Sequence, residues 1–317
     1  MNGAADSFTV VIPVYQNEAN LPRLLAELED LSLKMPRDFS VVFVVDGSPD
    51  RCHEILSAKL PAARFDSQLL QLSRNFGSFS AVMAGMSAAT GEFCGVMAAD
   101  LQEPPELMIE FHRILSSGEA DVCFGVRTGR SDPWLTELTS NLFWWVYRRF
   151  VVKEMPPGGV DVFACTRAVR EHVSRFSELH TNLIALLFWV GFRRRFVPYA
   201  RQARREGVSA WTIGKKLKYC VDSIFTFTDL PLKVLAYCGA MGMGVALLLA
   251  AIVLVASVTG SVPVRGYVPV MLTLMFFGGL ASSGLAIVGR YLWMVSENVR
   301  GRPVYIVQSA VSIRGSK

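Results

Sequence analysis

The chain has 317 residues, enough for one large domain and an extension, and its net charge is +5. Its hydrophobic content of 51% is high for a soluble protein, and the excess is concentrated near the end of the chain. The six cysteines show no CxxC pair and no metal-like spacing, which argues against a cysteine metal site and favours buried free thiols in a reducing compartment. The first residues lack a basic region followed by an apolar stretch, so we expect no signal peptide and a catalytic region in the cytoplasm.

Apolar, β-branched runs alternate with helical patterns through the first part of the chain. Strands are predicted at 8–12, 40–45, 68–72, 93–97 and 121–126. Helices are predicted at 21–31, 55–60, 78–90 and 105–115. Asn20 is predicted to cap the first helix, Pro13 to close the first strand, and Pro105 to lie in the first turn of the fourth helix. Strands that alternate with helices predict a mostly parallel, three-layer α/β sheet.

The pattern continues with a helix at 133–150, whose aromatic side favours either core packing or contact with a membrane surface. A loop follows at 155–159, then a strand at 160–165 that carries Asp161. Two further helices and a strand are predicted at 167–176, 182–189 and 192–197.

A basic stretch follows this region. Nine Lys or Arg residues lie between Arg193 and Lys218, against the single acid Glu206. Residues 212–230 are amphipathic, which next to a membrane span indicates an interfacial helix. Nucleic-acid binding is the alternative, and the absence of stacking aromatics disfavours it.

Two long segments, 234–264 and 267–289, contain no charged residue. Each is long enough for a bilayer core, which takes about 20 residues. Both outer flanks are basic, so the positive-inside rule predicts a hairpin with both ends in the cytoplasm. A buried helical hairpin of a soluble protein is the alternative.

The turn that follows the fourth predicted strand carries Asp100, Gln102, Glu103 and two prolines. The C-terminal edge of an open α/β sheet is where ligands bind. A carboxylate and an amide oxygen suit Mg²⁺ or Mn²⁺ holding a diphosphate. A solvated strand-to-helix turn would look the same from this segment alone.

Four segments together resemble family 2 glycosyltransferases of the GT-A fold, and more specifically the polyprenyl-phosphate sugar transferases. They are 10–15 (VVIPVY), 45–48 (VDGS), 72–77 (LSRNFG) and 96–106. The resemblance runs from about Phe8 to the C-terminus. It implies a GT-A (Rossmann-like, mostly parallel) catalytic domain, followed by interfacial helices and two transmembrane helices.

The resemblance also assigns residues to roles. The donor-binding set it implies is Pro13, Tyr15, Glu18, Asp46, Arg74, Asn75, Asp100, Arg204 and Ser209. The acceptor-phosphate set is Arg127, Arg130 and Arg205, and the catalytic set is Asp100, Asp161 and Arg127. The metal ligands implied are Asp100 and Gln102, with Mg²⁺ or Mn²⁺ as the cofactor. For Asp46 a turn-forming role, and for Arg127 and Arg130 a solvated basic loop, are the structural alternatives.

The chain departs from the family pattern at several of these positions. Val45 and Ala98 stand where the family usually has the first aspartate of two motifs. Glu18 lies one place later than in the common pattern, and Ala210 replaces a frequent lysine. The segment from Arg204 to Trp211 suits a lid that closes over phosphate.

The sequence therefore predicts a glycosyltransferase domain at 1–211, juxtamembrane helices at 212–232, a transmembrane hairpin at 233–295 and a cytoplasmic tail at 296–317. The implied reaction is inverting transfer of a sugar from a UDP- or GDP-linked donor to polyprenyl phosphate at the cytoplasmic leaflet of the inner membrane. A homo-oligomer is also implied, and nucleic acid is not an expected partner. Transfer to another lipid or polysaccharide acceptor and an inactive membrane scaffold are the alternatives.

Overall fold

The computed structural model describes residues 6–128, 144–145, 147–178, 182–202, 221–259 and 267–316. The chain forms two compact units. The first comprises Met1–Lys216 and Arg302–Lys317, and the second comprises Leu217–Gly301.

The first unit is built on a mixed sheet of eight strands. These are β1 (Phe8–Val14), β2 (Phe39–Val45), β3 (Asp66–Leu72), β4 (Phe93–Val96), β5 (Val122–Arg127), β6 (Phe163–Thr166), β7 (Arg194–Tyr199) and β8 (Val307–Ile313). Their order is β7-β5-β6-β4-β1-β2-β3-β8. The run β3-β2-β1-β4 is parallel, as is the pair β5 and β7. β6 runs antiparallel to β4 and β5, and β8 antiparallel to β3.

Helices connect these strands at α1 (Leu21–Ser32), α2 (Cys52–Lys59), α3 (Ser78–Ala88), α4 (Leu107–Ser116), α5 (Arg167–Val173) and α6 (Leu183–Trp189). The five leucines that repeat along α1 are all buried, which explains why this segment folds as an amphipathic helix. α3 is rich in small residues because it lies close against the sheet, and a Cβ at Gly85 would stand 2.2 Å from Val11 Cγ1. The predicted α/β architecture is confirmed.

Three local predictions at the ends of elements are wrong. β1 continues through Pro13, which is tolerated because β4 pairs with β1 only up to Val11, so no partner on that side needs the missing N–H. Asn20 adopts helical dihedral angles and makes no side-chain cap. α4 begins at Leu107, so Pro105 lies in the turn before the helix rather than in its first turn.

Two further differences bear on function. Asp161 lies in a bend before β6 rather than inside a strand. The C-terminal tail, for which no secondary structure is predicted, forms β8 at the sheet edge beside β3. The backbone N–H of Ser73 also donates to the carbonyl of Ile306, at 3.0 Å, just before β8 begins.

The cysteines that the structure describes are free. Four of them, Cys52, Cys94, Cys123 and Cys165, are buried in the first unit. Burial raises the pKa of the Cys94 thiol to about 12. The prediction of buried free thiols is confirmed for these four.

The second unit contains α7 (Leu230–Val258) and α8 (Tyr267–Val299). Both are long and apolar enough to cross a membrane, judged by length and composition, with windows of mean hydropathy 1.5 and 1.3. Small residues allow them to approach, since a Cβ at Gly242 would lie 3.2 Å from Phe277 Cε1. Residues 221–227 are helical, and Asp222 pairs with Arg290 of α8 at 2.6 Å.

Candidate functional site

The strand directions bring the ends of seven strands to one edge of the sheet. The C-terminal ends of β1, β2, β3 and β4 lie there because these strands are parallel. β6 is antiparallel to β4, so its N-terminal end, preceded by Asp161, reaches the same edge. Arg127 ends β5 and is in register with Tyr199 of β7, which adds both C-terminal ends. β1 and β4 are the neighbours at which the strand order reverses, the usual place for a ligand in such sheets.

The turn after β4 has a strained backbone that fixes its polar side chains. Leu101 is buried and has a φ of 53°, a left-handed conformation that is uncommon for a residue other than glycine. The backbone N–H of Gln102 donates to Asp100 Oδ1 at 3.3 Å. Burial of the leucine side chain therefore holds Asp100 and Gln102 together in one tight turn.

Cationic side chains from two other strands meet this turn. Arg201 Nη2 donates to Gln102 Oε1 at 2.6 Å, and the backbone N–H of Gln202 donates to the Gln102 carbonyl at 2.9 Å. Arg127 forms an ion pair with Asp161 through Nη2 and Oδ2. The structure thus brings together Asp100, Gln102, Arg127 and Asp161 from the predicted set. Arg201 was not in that set.

Glu103 is a second residue that the sequence analysis missed. It is only 2% exposed, and its Oε2 has no hydrogen-bond partner among the described residues. Burial raises the pKa of its carboxyl, as does Asp100, while Arg201 and Arg127 oppose the increase. Burying an ionised carboxyl group costs free energy unless neighbouring cations compensate its charge, as the two guanidinium groups can here. The available signal was its position, directly after Gln102 and before two prolines.

The charges at this edge influence one another. Burial lowers the pKa of Arg127, and the nearby Arg201 lowers it further. Burial likewise raises the pKa of Tyr199, with Glu103 adding to the effect. The site therefore holds two guanidinium groups that are close enough to repel each other, an arrangement suited to binding anions.

Asp46 follows β2 and binds the backbone of the loop after β3. Its two carboxylate oxygens accept the backbone N–H groups of Phe76 at 2.7 Å and Gly77 at 2.9 Å. Burial raises the pKa of Asp46, while these two amides and Arg74 act to lower it. A Cβ on the adjoining Gly47 would stand 2.3 Å from the Arg74 carbonyl carbon. Asp46 therefore fixes the loop after β3 that carries Arg74, and a direct contact with a base stays a prediction.

The loops after β1 and β2 are joined by a polar network that was also missed. Ser48 Oγ donates to Asp50 Oδ1 at 2.6 Å and accepts the backbone N–H of Gln16 at 2.7 Å. Asp50 Oδ2 accepts the backbone N–H of Glu18 at 3.3 Å, and Glu18 Oε2 accepts the backbone N–H of Arg51 at 2.9 Å. The carboxylate of Glu18 is thus turned towards the start of α2.

The other residues predicted to bind the donor lie at or near the ends of β1 and β3. Pro13 is within β1, and Tyr15, 39% exposed, follows it. Arg74 and Asn75 are exposed, and the Arg74 guanidinium lies 4.0 Å from the centre of the Phe76 ring. Four predicted residues lie outside the described part of the chain: Arg130, Arg204, Arg205 and Ser209.

The oxygen atoms of Asp100 and Gln102 are suitable ligands for a hard divalent cation. In the described part of the chain no group of three or more His, Cys, Asp or Glu residues could hold a metal. Mg²⁺, however, commonly takes one or two carboxylates and completes its shell with phosphate oxygens and water. Asp100, which is partly exposed, and Gln102 offer such oxygen ligands in one turn. Since Arg201 already bonds Gln102 Oε1, Asp100 is the principal candidate ligand.

Comparison with known proteins agrees with this geometry. The family model described as glycosyl transferase family 2 matches residues 9–176. A relative from Synechocystis, an uncharacterized glycosyltransferase (sll0501), is 32% identical over 94% of each chain. The SfII prophage-derived bactoprenol glucosyl transferase of Shigella flexneri is 27% identical, over 95% of this chain and 97% of its own.

A solved structure supports the fold. The glucosyl-3-phosphoglycerate synthase of Mycobacterium tuberculosis, in complex with Mn²⁺, uridine-diphosphate-glucose and phosphoglyceric acid, superposes with a TM-score of 0.50. It is 16% identical and covers 70% of this chain and 78% of its own. The match supports a GT-A fold for the first unit.

Proposed function

The chain belongs to glycosyl transferase family 2, and we propose that it transfers a sugar from a nucleotide donor to polyprenyl phosphate at the cytoplasmic face of a membrane. That it is a glycosyltransferase of the polyprenyl-phosphate group follows from the family match and the named relatives. The acceptor is supported by the bactoprenol glucosyl transferase among those relatives.

One observation carries the proposal: a carboxylate turn and a two-arginine cluster share one sheet edge. Asp100 and Gln102 lie in the turn after β4, while Arg127 ends β5, Asp161 precedes β6 and Arg201 follows β7. Such an edge can hold two anionic groups near each other, a nucleotide diphosphate and a lipid phosphate.

The proposed reaction needs little general acid–base catalysis from the protein. A phosphate acceptor is already anionic at neutral pH, so its oxygen can attack the anomeric carbon without a general base. That bond forms as the bond from the anomeric carbon to the diphosphate breaks, and a single displacement inverts the configuration. A divalent cation held by Asp100 would neutralise charge on the departing diphosphate.

In the proposed reaction Arg127 and Arg201 offset the repulsion between the two anions. Asp161 holds Arg127 through their ion pair, and Gln102 holds Arg201 at 2.6 Å, so both guanidinium groups are oriented by the fold. Such preorganisation is what makes electrostatic stabilisation effective in a partly buried site.

Chain connectivity supports a hairpin, because the chain leaves the first unit and later returns to it. Residues up to Lys216, which precede α7, and strand β8, which follows α8, both belong to the first unit. If α7 and α8 each cross the bilayer, the chain crosses twice and returns to its starting side. The basic flanks predicted to be cytoplasmic assign that side to the cytoplasm. Assembly into a homo-oligomer stays a prediction.

The test is transfer by the purified full chain. UDP- and GDP-linked sugars are supplied with undecaprenyl phosphate and a divalent cation, and the lipid is analysed by mass spectrometry. We expect a mass increase of one sugar residue on the polyprenyl phosphate for one donor. A product on diacylglycerol instead, or donor hydrolysis alone with every donor tried, would contradict the proposed acceptor.

A further inference from the structure

Polar atoms that are buried without a hydrogen-bond partner are concentrated beside the turn after β4. Among the described residues five buried side-chain atoms lack such a partner, and three of them are Glu103 Oε2, Arg127 Nε and Tyr199 Oη. Burial raises the pKa of Tyr199, Glu103 raises it further and Arg127 lowers it, so the three groups are neighbours. Native proteins contain few such atoms, so three in one place indicate a functional arrangement.

The position of Tyr199 is fixed by its backbone and by packing. Its carbonyl oxygen accepts the backbone N–H of Thr128 at 2.8 Å and the Thr128 hydroxyl at 3.0 Å. A Cβ on Gly125 would lie 3.1 Å from Tyr199 Cε1, so the ring packs on the backbone of β5. Arg127 lies between these two contacts along β5. The backbone of Arg127 and the phenol of Tyr199 are therefore held in one arrangement.

The two arginines at this site carry charges that have to be balanced. Asp161 pairs with Arg127, whereas Arg201 is bonded by the neutral amide of Gln102 at 2.6 Å. Arg201 is exposed, and its charge opposes that of Arg127. Glu103, only 2% exposed, is a buried carboxyl group whose charge interacts with both guanidinium groups. Its attraction for both can hold them in a common site despite their repulsion.

We infer that Glu103 is a positioning residue, which holds Arg127 and Arg201 in the arrangement that binds the acceptor phosphate. The Tyr199 hydroxyl, beside both Glu103 and Arg127, belongs to the same arrangement. The Glu103 side chain is too buried to touch an incoming substrate, so it acts through the arginines. The inference rests on the proposed function and adds a role for a residue outside the predicted donor, acceptor and metal sets.

The sign of one substitution separates positioning from simple repulsion. A carboxylate near an anion site repels the anion, so neutralising it would tighten phosphate binding if charge alone mattered. Loss of a positioning carboxylate would weaken binding instead, because the guanidinium groups would no longer be held in place. Glu103→Gln makes this distinction, since it removes the charge and keeps the size and shape of the side chain.

The test measures binding of farnesyl phosphate, a short polyprenyl phosphate, by calorimetric titration. The full chain is used in detergent with uridine diphosphate and Mg²⁺ present. We expect Glu103→Gln to raise the Kd of farnesyl phosphate by at least about tenfold, the effect of one misplaced hydrogen bond to a charged group. The Kd of uridine diphosphate should not change. Glu103→Asp keeps the charge, and its Kd for farnesyl phosphate should lie between those of the wild type and Glu103→Gln.

Three further variants serve as controls. Glu119→Gln makes the same chemical change at an exposed glutamate, which pairs with Arg113 at 3.3 Å, and should bind farnesyl phosphate as the wild type does. Arg201→Gln completes a double-mutant cycle, in which Glu103→Gln should have a smaller effect because one of its partners is already gone. Tyr199→Phe removes the hydroxyl and keeps the ring, and should also raise this Kd. It decides the matter if Glu103→Gln does not fold.

An equal or lower Kd for farnesyl phosphate in Glu103→Gln than in the wild type would overturn the inference. So would full additivity in the cycle, or an unchanged Kd in Tyr199→Phe where that variant has to decide. Sugar transfer to undecaprenyl phosphate is measured with the same proteins. Wild-type transfer with equal Kd values would sink this inference alone, whereas the expected rise in Kd without any transfer would count only against the proposed function.

Discussion

Asp46 is predicted to hold the donor loop, and its removal should damage both stability and nucleotide binding. The residue is 2% exposed and accepts two backbone N–H groups, from Phe76 and Gly77. Asp46→Ala would leave two part-buried N–H groups without this acceptor, at up to about 1–3 kcal/mol each, or up to about 2–6 kcal/mol in total. Asp46→Asn keeps one accepting oxygen but loses the charge and one bond, so we expect a loss of about 2 kcal/mol.

Thermal unfolding of the full chain in detergent, followed by intrinsic fluorescence, measures the first effect. For a domain of this size a loss of 2 kcal/mol lowers Tm by roughly 4–8 °C. Calorimetric titration with uridine diphosphate measures the second effect, and we expect weaker binding because the loop carries Arg74. Asp66→Asn is the matched control, since Asp66 is exposed and accepts a single amide, from Gly315 at 2.9 Å. Equal Tm values for the two Asn variants would refute the reasoning.

Three further predictions follow from other parts of the first unit. Asp100→Asn should weaken Mn²⁺ binding in the presence of uridine diphosphate by at least about tenfold, measured by electron paramagnetic resonance, since one charged ligand is lost; unchanged binding would contradict the metal role. Burial acts to raise the pKa of Asp50, but hydrogen bonds from Ser48 and other donors outweigh it and lower the pKa below the unfolded value. Its contribution to stability is therefore present above about pH 4 and is lost as pH falls through the folded pKa. In Asp50→Asn, Tm should therefore fall less steeply with decreasing pH than in the wild type. The same acid dependence of Tm in both proteins would contradict this. Deletion of 306–316 removes β8, and hydrogen exchange of 66–72 should then accelerate because β3 becomes an edge strand; unaltered exchange would show that β8 does not protect it.

The parts of the fold that could be predicted are those whose signal is local. The strands from β1 to β5 are short apolar runs, and each is found within about two residues of its predicted position. α1 follows from the spacing of its leucines, all of which are buried. Each of these segments buries its own apolar face, so its type is determined by its own pattern.

The features that were missed depend on distant parts of the chain. β8 pairs with β3 across more than 230 residues, for example Ile313 with Ser67, and nothing in its own sequence specifies that partner. Arg201 became part of the site only through its contact with Gln102. Glu103 is buried, and its charged neighbours include Arg127 and Arg201 from distant parts of the chain, which the sequence of the turn does not show.

The reversed direction of β6 explains how residues from both halves of the first unit can act together. Asp161 precedes β6, and a residue that precedes a strand lies at the edge where that strand begins. If β6 ran parallel to β4, Asp161 would lie at the opposite edge, about 13 Å away for a strand of four residues. Because β6 is antiparallel, Val96 is in register with Phe163, and Asp161 reaches the edge that holds Asp100. β5 is antiparallel to β6, so Arg127 at the C-terminal end of β5 lies at the same edge as Asp161. The ion pair of Asp161 with Arg127 therefore depends on strand direction as much as on residue type.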